Sequence, residues 1–182
     1  MILLKDILYK VTLEKVVGNT SVAIHNVEFD SRKVSLNDVF VAVKGTVSDG
    51  HQFIKKATDQ GALAIVCETL PENIVNGITY IQVPDAHSAL AIIAANFYEH
   101  PSEQLKLLGV TGTNGKTTVA SLLYQLFKQD GMGVGLLSTV QIMVDNLEYK
   151  PSHHPPASIP RNNNIGHMLE HGGESACMAH SH

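Results

Sequence analysis

The sequence predicts an α/β protein in two parts. A small α/β domain over residues 1–100 is followed, over residues 101–182, by the start of a doubly wound parallel sheet carrying a phosphate-binding loop. Three observations predict this. Short apolar runs alternate with amphipathic stretches over residues 22–98, the order expected of a strand–helix sheet. The junction His100-Pro101-Ser102 then interrupts the pattern, since a helix seldom runs through the residue before a proline. Beyond it, an apolar run, the turn Gly109-Val110-Thr111-Gly112-Thr113-Asn114-Gly115-Lys116-Thr117-Thr118 and an amphipathic stretch follow one another. Strand, glycine-rich turn and helix is the setting a phosphate loop requires.

Taken in order, residues 1–20 hold one short amphipathic segment and a Gly18-Asn19 turn. Val22 to Phe29 alternates in part and predicts a strand, as does the compact apolar run Asp38 to Val43. Asp49-Gly50 marks a turn. Phe53 to Gln60 predicts a short helix with Phe53, Ile54 and Ala57 inward and Gly61 as its stop. Ala62 to Cys67 and Thr79 to Val83 predict buried strands. Asp85 is placed to cap a helix through Tyr98, with Leu90, Ile93, Ala94 and Phe97 on one face. The second part predicts a strand at 105–110, a helix at 116–129 and a strand at 134–140. In that helix Val119, Leu122, Leu123, Leu126 and Phe127 recur at spacings of three and four, so one stripe is expected to pack on the sheet, and Gly131 ends it. From residue 151 the character changes: six of the ten histidines lie there, with four prolines. Within it, Ile165, Met168 and Leu169 share one helical face.

The loop points to a nucleoside triphosphate. Backbone N–H groups of Gly112, Thr113, Asn114 and Gly115 and of the helix start can face the anion. Lys116 reaches the β and γ phosphates, and the hydroxyl of Thr117 or Thr118 ligates Mg²⁺. A nucleoside triphosphate with Mg²⁺ is thus expected, with Lys116 the catalytic cation and Thr117 the metal ligand. The general motif asks for Gly five positions before Gly115, where this chain has Val110.

The longer string Thr111-Gly112-Thr113-Asn114-Gly115-Lys116-Thr117-Thr118 resembles the ATP loop of the Mur ligases, cytoplasmic enzymes that build the peptidoglycan peptide. Residues 30–54, from Asp30-Ser31-Arg32 through Asp49-Gly50-His51 to Ile54, resemble the N-terminal domain of the UDP-N-acetylmuramoyl-tripeptide synthetases in that family. Val134 to Val140 resembles the strand after their loop helix. The resemblance implies a UDP-substrate domain at 1–100 and part of an ATP-binding domain at 101–182. It narrows the triphosphate to ATP and implies an ATP-dependent amide ligase that adds a third amino acid, diaminopimelate as the commoner choice in the family or else lysine, to UDP-N-acetylmuramoyl-L-alanyl-D-glutamate through an acyl phosphate. Phe29 and Ser31 match family positions at the UDP-sugar, and Thr46, Val47 and Ser48 match a loop against the uridine nucleotide. Read locally, the first pair is also a strand end with an Asp-Ser turn, and the second a hairpin tip. Arg32 and Lys44 are candidate phosphate partners.

The match weakens after residue 150. A family Thr-His-Thr-Thr-Pro-Asp segment aligns with Ser152 to Ala157, so His153, His154 and Pro155 stand at substrate-binding positions with the paired threonines gone. A family Glu that helps to hold Mg²⁺ aligns with Ala179, and Ser181 keeps the one matching hydroxyl. In the family the rest of the ATPase domain, a carbamylated lysine and a third, amino-acid-binding domain come later. The 182-residue chain alone is therefore expected not to ligate, as an incomplete fragment or as a non-catalytic relative binding nucleotide and UDP-sugar.

Composition narrows the partners. A net charge of −4 and the absence of Trp argue against a nucleic-acid binder. No apolar run approaches the ~18 residues of a membrane span, and Met1 to Asp6 is too short for a signal peptide. Cys67 and Cys177 form no metal or redox motif. A cytoplasmic monomer is expected. A rival reading is a metal-binding tail, because His167 and His171 share a helix face and His180 and His182 can add ligands. A kinase or GTPase is the other, for which no guanine-reading motif is present.

Overall fold

Short strands pair into two five-stranded sheets and one two-stranded ladder among the described residues. The computed structural model describes residues 2–45, 48–138, 141–144, 147–149, 158–170 and 173–179. By backbone contacts the chain divides into two compact units, Met1–Phe97 and Tyr98–His182.

The first unit begins with β1 (Ile2–Leu3), α1 (Leu4–Ile7), β2 (Lys15–Val17), β3 (Ala23–Ile24), β4 (Val27–Glu28) and β5 (Val39–Val41). A 3₁₀ turn, Gly50–Phe53, leads into α2 (Ile54–Asp59), and β6 (Ala64–Cys67), β7 (Thr79–Gln82) and α3 (Ala86–Phe97) complete it. Its five-stranded sheet runs β2-β7-β6-β5-β4. Strands β4 to β7 are parallel neighbours, and β2 adds antiparallel to β7. Phe40, Ile65, Cys67 and Tyr80 bury one face together with Ile54 and Ala57 of α2. The alternating residues Val39, Val41, Val66 and Ile81 are fully buried on the other. Asp85 caps α3 through Oδ1, which accepts from the backbone of His87 at 2.9 Å and Ser88 at 3.3 Å.

Two expectations change here. The strand predicted at 22–29 breaks into β3 and β4, because Asn26 turns its side-chain oxygen onto the backbone N–H of Val27 (2.8 Å) and the His25 N–H bonds to Asn37. Phe53, expected inward, lies exposed at the end of the 3₁₀ turn, whose tighter pitch rotates it off the face that Ile54 and Ala57 bury.

The second unit contains α4 (Pro101–Gln104), β8 (Lys106–Val110), α5 (Lys116–Gln129), β9 (Val134–Leu137), β10 (Ile142–Val144), β11 (Leu147–Tyr149), α6 (Ser158–Glu170) and β12 (Ser175–Ala179). The strand order is β11-β10-β9-β12-β8, with β9, β12 and β8 parallel and the β10–β11 hairpin antiparallel. Ala120, Tyr124, Val134, Leu136 and Cys177 form the core under α5. Leu105, Leu137, Ala176, Ile165 and Met168 form the core under α6. The flexible end of the Met168 side chain lies directly over Gly135, so a side chain at 135 requires Met168 to move aside.

Only part of the expected α5 stripe is covered. Leu123 and Phe127 pack on the sheet with Ala120 and Tyr124, but Val119, Leu122 and Leu126 are 46%, 59% and 59% exposed. The reason is orientation: α5 lies across β12, β9 and β8, and only the half of its wide apolar arc that carries Ala120, Leu123, Tyr124 and Phe127 faces them.

Candidate functional site

Strand β8 ends at Val110, and α5 starts at Lys116 after five loop residues. Two glycines hold conformations that side chains resist: Gly112 has φ +147° and Gly115, the residue before the helix, has φ +75°. No side chain caps α5, so its first N–H groups stay open to an anion. The Lys116 ammonium folds back over the loop and donates to the carbonyl oxygens of Gly112 at 2.7 Å and Thr113 at 3.4 Å. Thr113 and Asn114 form the exposed crest, Thr117 is half-buried on the first helical turn, and Thr118 is exposed.

The loop stands at the C-terminal ends of the parallel strands, where open α/β sheets bind ligands. Register makes the neighbourhood specific: Val110 pairs with Ala179, and Gly109 with Met178. The residue at 179 is thus on the adjacent strand, beside the start of the loop. Its side chain is a methyl group, which offers no oxygen to a hard cation. Among the described residues no group of three His, Cys, Asp or Glu is arranged to hold a metal ion. Among the described residues, the half-buried Thr117 on the first helical turn carries an oxygen donor of the kind that suits a divalent cation.

In the first unit, Phe29 and Ser31 directly follow β4, and Ser48 belongs to the hairpin after β5. Because β4 and β5 are parallel neighbours, all three lie at the same sheet edge. Ser31 is buried, Phe29 half-buried and Ser48 exposed. Thr46 and Val47 lie outside the described residues, as do His153, His154, Pro155, Ser181, His171, His180 and His182. Both cations proposed for phosphate are already paired. Arg32 donates to both oxygens of Asp30, at 2.7–3.2 Å, and holds that carboxyl down at about 2. Lys44 sits 2.6 Å from Glu68, which holds the Glu68 carboxyl low and raises Lys44.

The same edge carries a polar network that sequence reasoning missed. His51 Nε2 accepts from the backbone N–H of Glu68 at 3.0 Å and of Thr69 at 3.3 Å. Its Nδ1 therefore bears the proton and donates to Asp49 Oδ1 at 2.6 Å. The backbone N–H of His51, with that ring contact, keeps the Asp49 carboxyl below its ordinary range. Glu68 also accepts from Ala86 N at 3.2 Å, and His87 Nε2 donates to the Lys44 carbonyl at 3.0 Å. The local signal was Asp49-Gly50-His51, an acid two residues before a histidine; its remaining partners are 17 to 43 residues apart in sequence.

Known proteins with these features are related. Residues 23–98 match the family model described as the Mur ligase family, catalytic domain, and residues 110–181 match the Mur ligase middle domain. A UDP-N-acetylmuramoyl-L-alanyl-D-glutamate–2,6-diaminopimelate ligase of Cytophaga hutchinsonii is 47% identical over 170 residues, 93% of this chain and 35% of the relative. The enzyme so named in Bacteroides fragilis is 44% identical over 169 residues, again 93% and 35%. The chain therefore spans about a third of the length of the curated relatives it matches. A solved structure of a ligase bearing that name superposes with a TM-score of 0.70 at 19% identity, over 99% of this chain and 36% of the other, a likeness of fold. The MurF ligase of Thermotoga maritima, solved in complex with ADP, gives 0.53 at 28% identity over 85% of this chain and 31% of its own.

Proposed function

The chain belongs to the Mur ligase family, and from that premise we propose that it serves an ATP-dependent carboxylate–amine ligase of peptidoglycan synthesis. The enzyme adds the third amino acid, diaminopimelate in preference to lysine, to UDP-N-acetylmuramoyl-L-alanyl-D-glutamate. The observation that carries this reading is the loop Gly112–Thr118, at the C-terminal end of a parallel strand with an uncapped helix behind it. The names of the relatives supply the substrate, and the ADP complex of the Thermotoga maritima ligase supports the nucleotide.

The chemistry asks for what the loop can give. A carboxylate is a poor electrophile, so its oxygen first takes the γ-phosphoryl group of ATP and ADP leaves. The amine nitrogen then attacks the acyl carbon, the C–O bond to phosphate breaks, and the amine loses a proton to yield amide and inorganic phosphate. Charge neutralisation and alignment are the protein's share. Lys116 leaves the carbonyl oxygens of Gly112 and Thr113 for the β and γ phosphates. The amides of Gly112, Thr113, Asn114 and Gly115 cradle the anion, and Thr117 and Thr118 close the first helical turn. Thr117 would hold, on the protein side, a Mg²⁺ ion bound with the nucleotide, and that ion would supply further charge neutralisation. Phe29, Ser31, Thr46, Val47 and Ser48 are assigned by the family match to recognition of the UDP-sugar, in a domain at 1–100. His153, His154, Pro155 and Ser181 are assigned by the family match to recognition of the peptide, in a domain at 101–182. The setting is a cytoplasmic monomer, without membrane or nucleic-acid partners. No helix among the described residues is long and apolar enough to cross a membrane.

A second reading, binding of nucleotide and UDP-sugar without turnover, is favoured by Ala179 beside the loop. Calorimetric titration with Mg-ATP and with UDP-N-acetylmuramoyl-L-alanyl-D-glutamate tests the proposal. Saturable binding of both supports it, and binding of neither overturns it. ATP bound with no ADP formed under full substrate supports the second reading.

A further inference from the structure

The network around His51 does work that no part of the proposed chemistry uses. Lys44 and Asp49 form an isolated antiparallel bridge, and Gly45 N donates to Ser48 O at 2.9 Å, so these four residues make the stem of a short hairpin. Nothing in that stem is apolar enough to hold it on the sheet. Each side is instead tied down by a polar contact. Asp49 is bonded to His51 Nδ1, and His51 Nε2 is bonded to two backbone N–H groups at the end of β6. Lys44 is paired with Glu68, also at the end of β6, and Glu68 is bonded in turn to the first residue of α3. His87 of α3 closes the ring on the Lys44 carbonyl.

We propose that His51 is a positioning residue: its neutral, Nδ1-protonated imidazole fixes the stem of Lys44, Gly45, Ser48 and Asp49 to the C-terminal end of β6 and so presents Ser48 to a uridine nucleotide. The inference rests on the assignment of this sheet edge to the UDP substrate. The imidazole is suited to the task because one ring both accepts and donates in opposite directions. Glutamine can place an acceptor and a donor in the same directions, and alanine can place neither.

The test is calorimetric titration of the 182-residue chain with UDP, and separately with Mg-ATP, for wild type, His51→Ala and His51→Gln, each checked by thermal melting. The expected result is a UDP affinity about tenfold weaker in His51→Ala, the loss of one to two well-made hydrogen bonds. His51→Gln recovers most of it, and Mg-ATP affinity is unchanged in all three. A merely structural role would lower melting temperature and both affinities together, and that pattern overturns the proposal. Equal UDP affinity in wild type and His51→Ala also overturns it while leaving the substrate assignment standing. Failure of wild type to bind UDP overturns the assignment and the positioning role with it.

Discussion

Gly50→Ala is the substitution whose cost the structure defines most closely. A Cβ at residue 50 would stand 2.6 Å from the carbonyl oxygen of Val43, 2.7 Å from its nitrogen and 3.0 Å from the carbonyl carbon of Ala42. All three are backbone atoms at the end of β5, so no rotamer change relieves the overlap. Space for the methyl group must come from moving that backbone away. The Gly50 N–Val43 O bond of 2.9 Å opens, and the Ala42 N–Val66 O bond of 2.8 Å is strained with it. Overpacking of this kind costs about 1–3 kcal/mol, and a lost hydrogen bond adds about 1 kcal/mol. The expected loss is about 2–4 kcal/mol. For a unit of this size that corresponds to a fall in melting temperature of roughly 10–25 °C. Urea unfolding followed by circular dichroism measures it, and the UDP affinity should fall in the same variant because Asp49 and His51 flank the displaced residue. A loss below about 0.5 kcal/mol, the range of an ordinary surface change, would refute the reasoning.

Other expectations follow from the same geometry. Asp30 is held at about 2 against an ordinary 3.8, so the stability from its pairing with Arg32 is present above pH 3.8 and lost as pH falls toward 2. Because the Arg32 side chain is 79% exposed, Asp30→Asn should cost at most about 1 kcal/mol at pH 7, and its unfolding curve should meet that of wild type near pH 2. Leu122→Gln and Leu126→Gln should each change the stability of this chain by less than about 0.5 kcal/mol, since both side chains face solvent; a loss of 2 kcal/mol or more would contradict the placement of α5. Ala179→Glu puts a carboxylate beside the loop and should tighten ATP binding about fivefold or more, on the order of 1 kcal/mol, only when Mg²⁺ is present. An equal gain without the cation would mean that residue 179 does not face the nucleotide.

How much was legible in the sequence depended on how local the cause was. The loop and α5 were readable because glycines, a lysine and two threonines act within ten residues of chain. Strands β5, β6 and β7 were readable because each is a short apolar run that stays buried on both faces. Strand β12 was not, since Ser175-Ala176-Cys177-Met178-Ala179 is modest in hydrophobicity and becomes central only because β8 and β9 flank it. Strand β2 was missed because Lys15-Val16-Val17 is three residues long and acquires its place only by pairing with β7. For α5 the periodicity showed an apolar arc but not which half the sheet would cover. The His51 network joins residues from four separate segments, and no local pattern announces such a meeting. The resemblance, not any local pattern, singled out Ser31 and the 46–48 segment as substrate candidates, while the structure showed that Arg32 and Lys44 already have partners.

Titration of the chain with Mg-ATP, wild type against Lys116→Ala, tests the central claim most directly. The account predicts saturable binding by wild type that is lost in the variant, or weakened by about 2–5 kcal/mol, the range for removing one partner of a close charge pair. Equal affinity in the two proteins would contradict it, and the loop would then not be the ATP site.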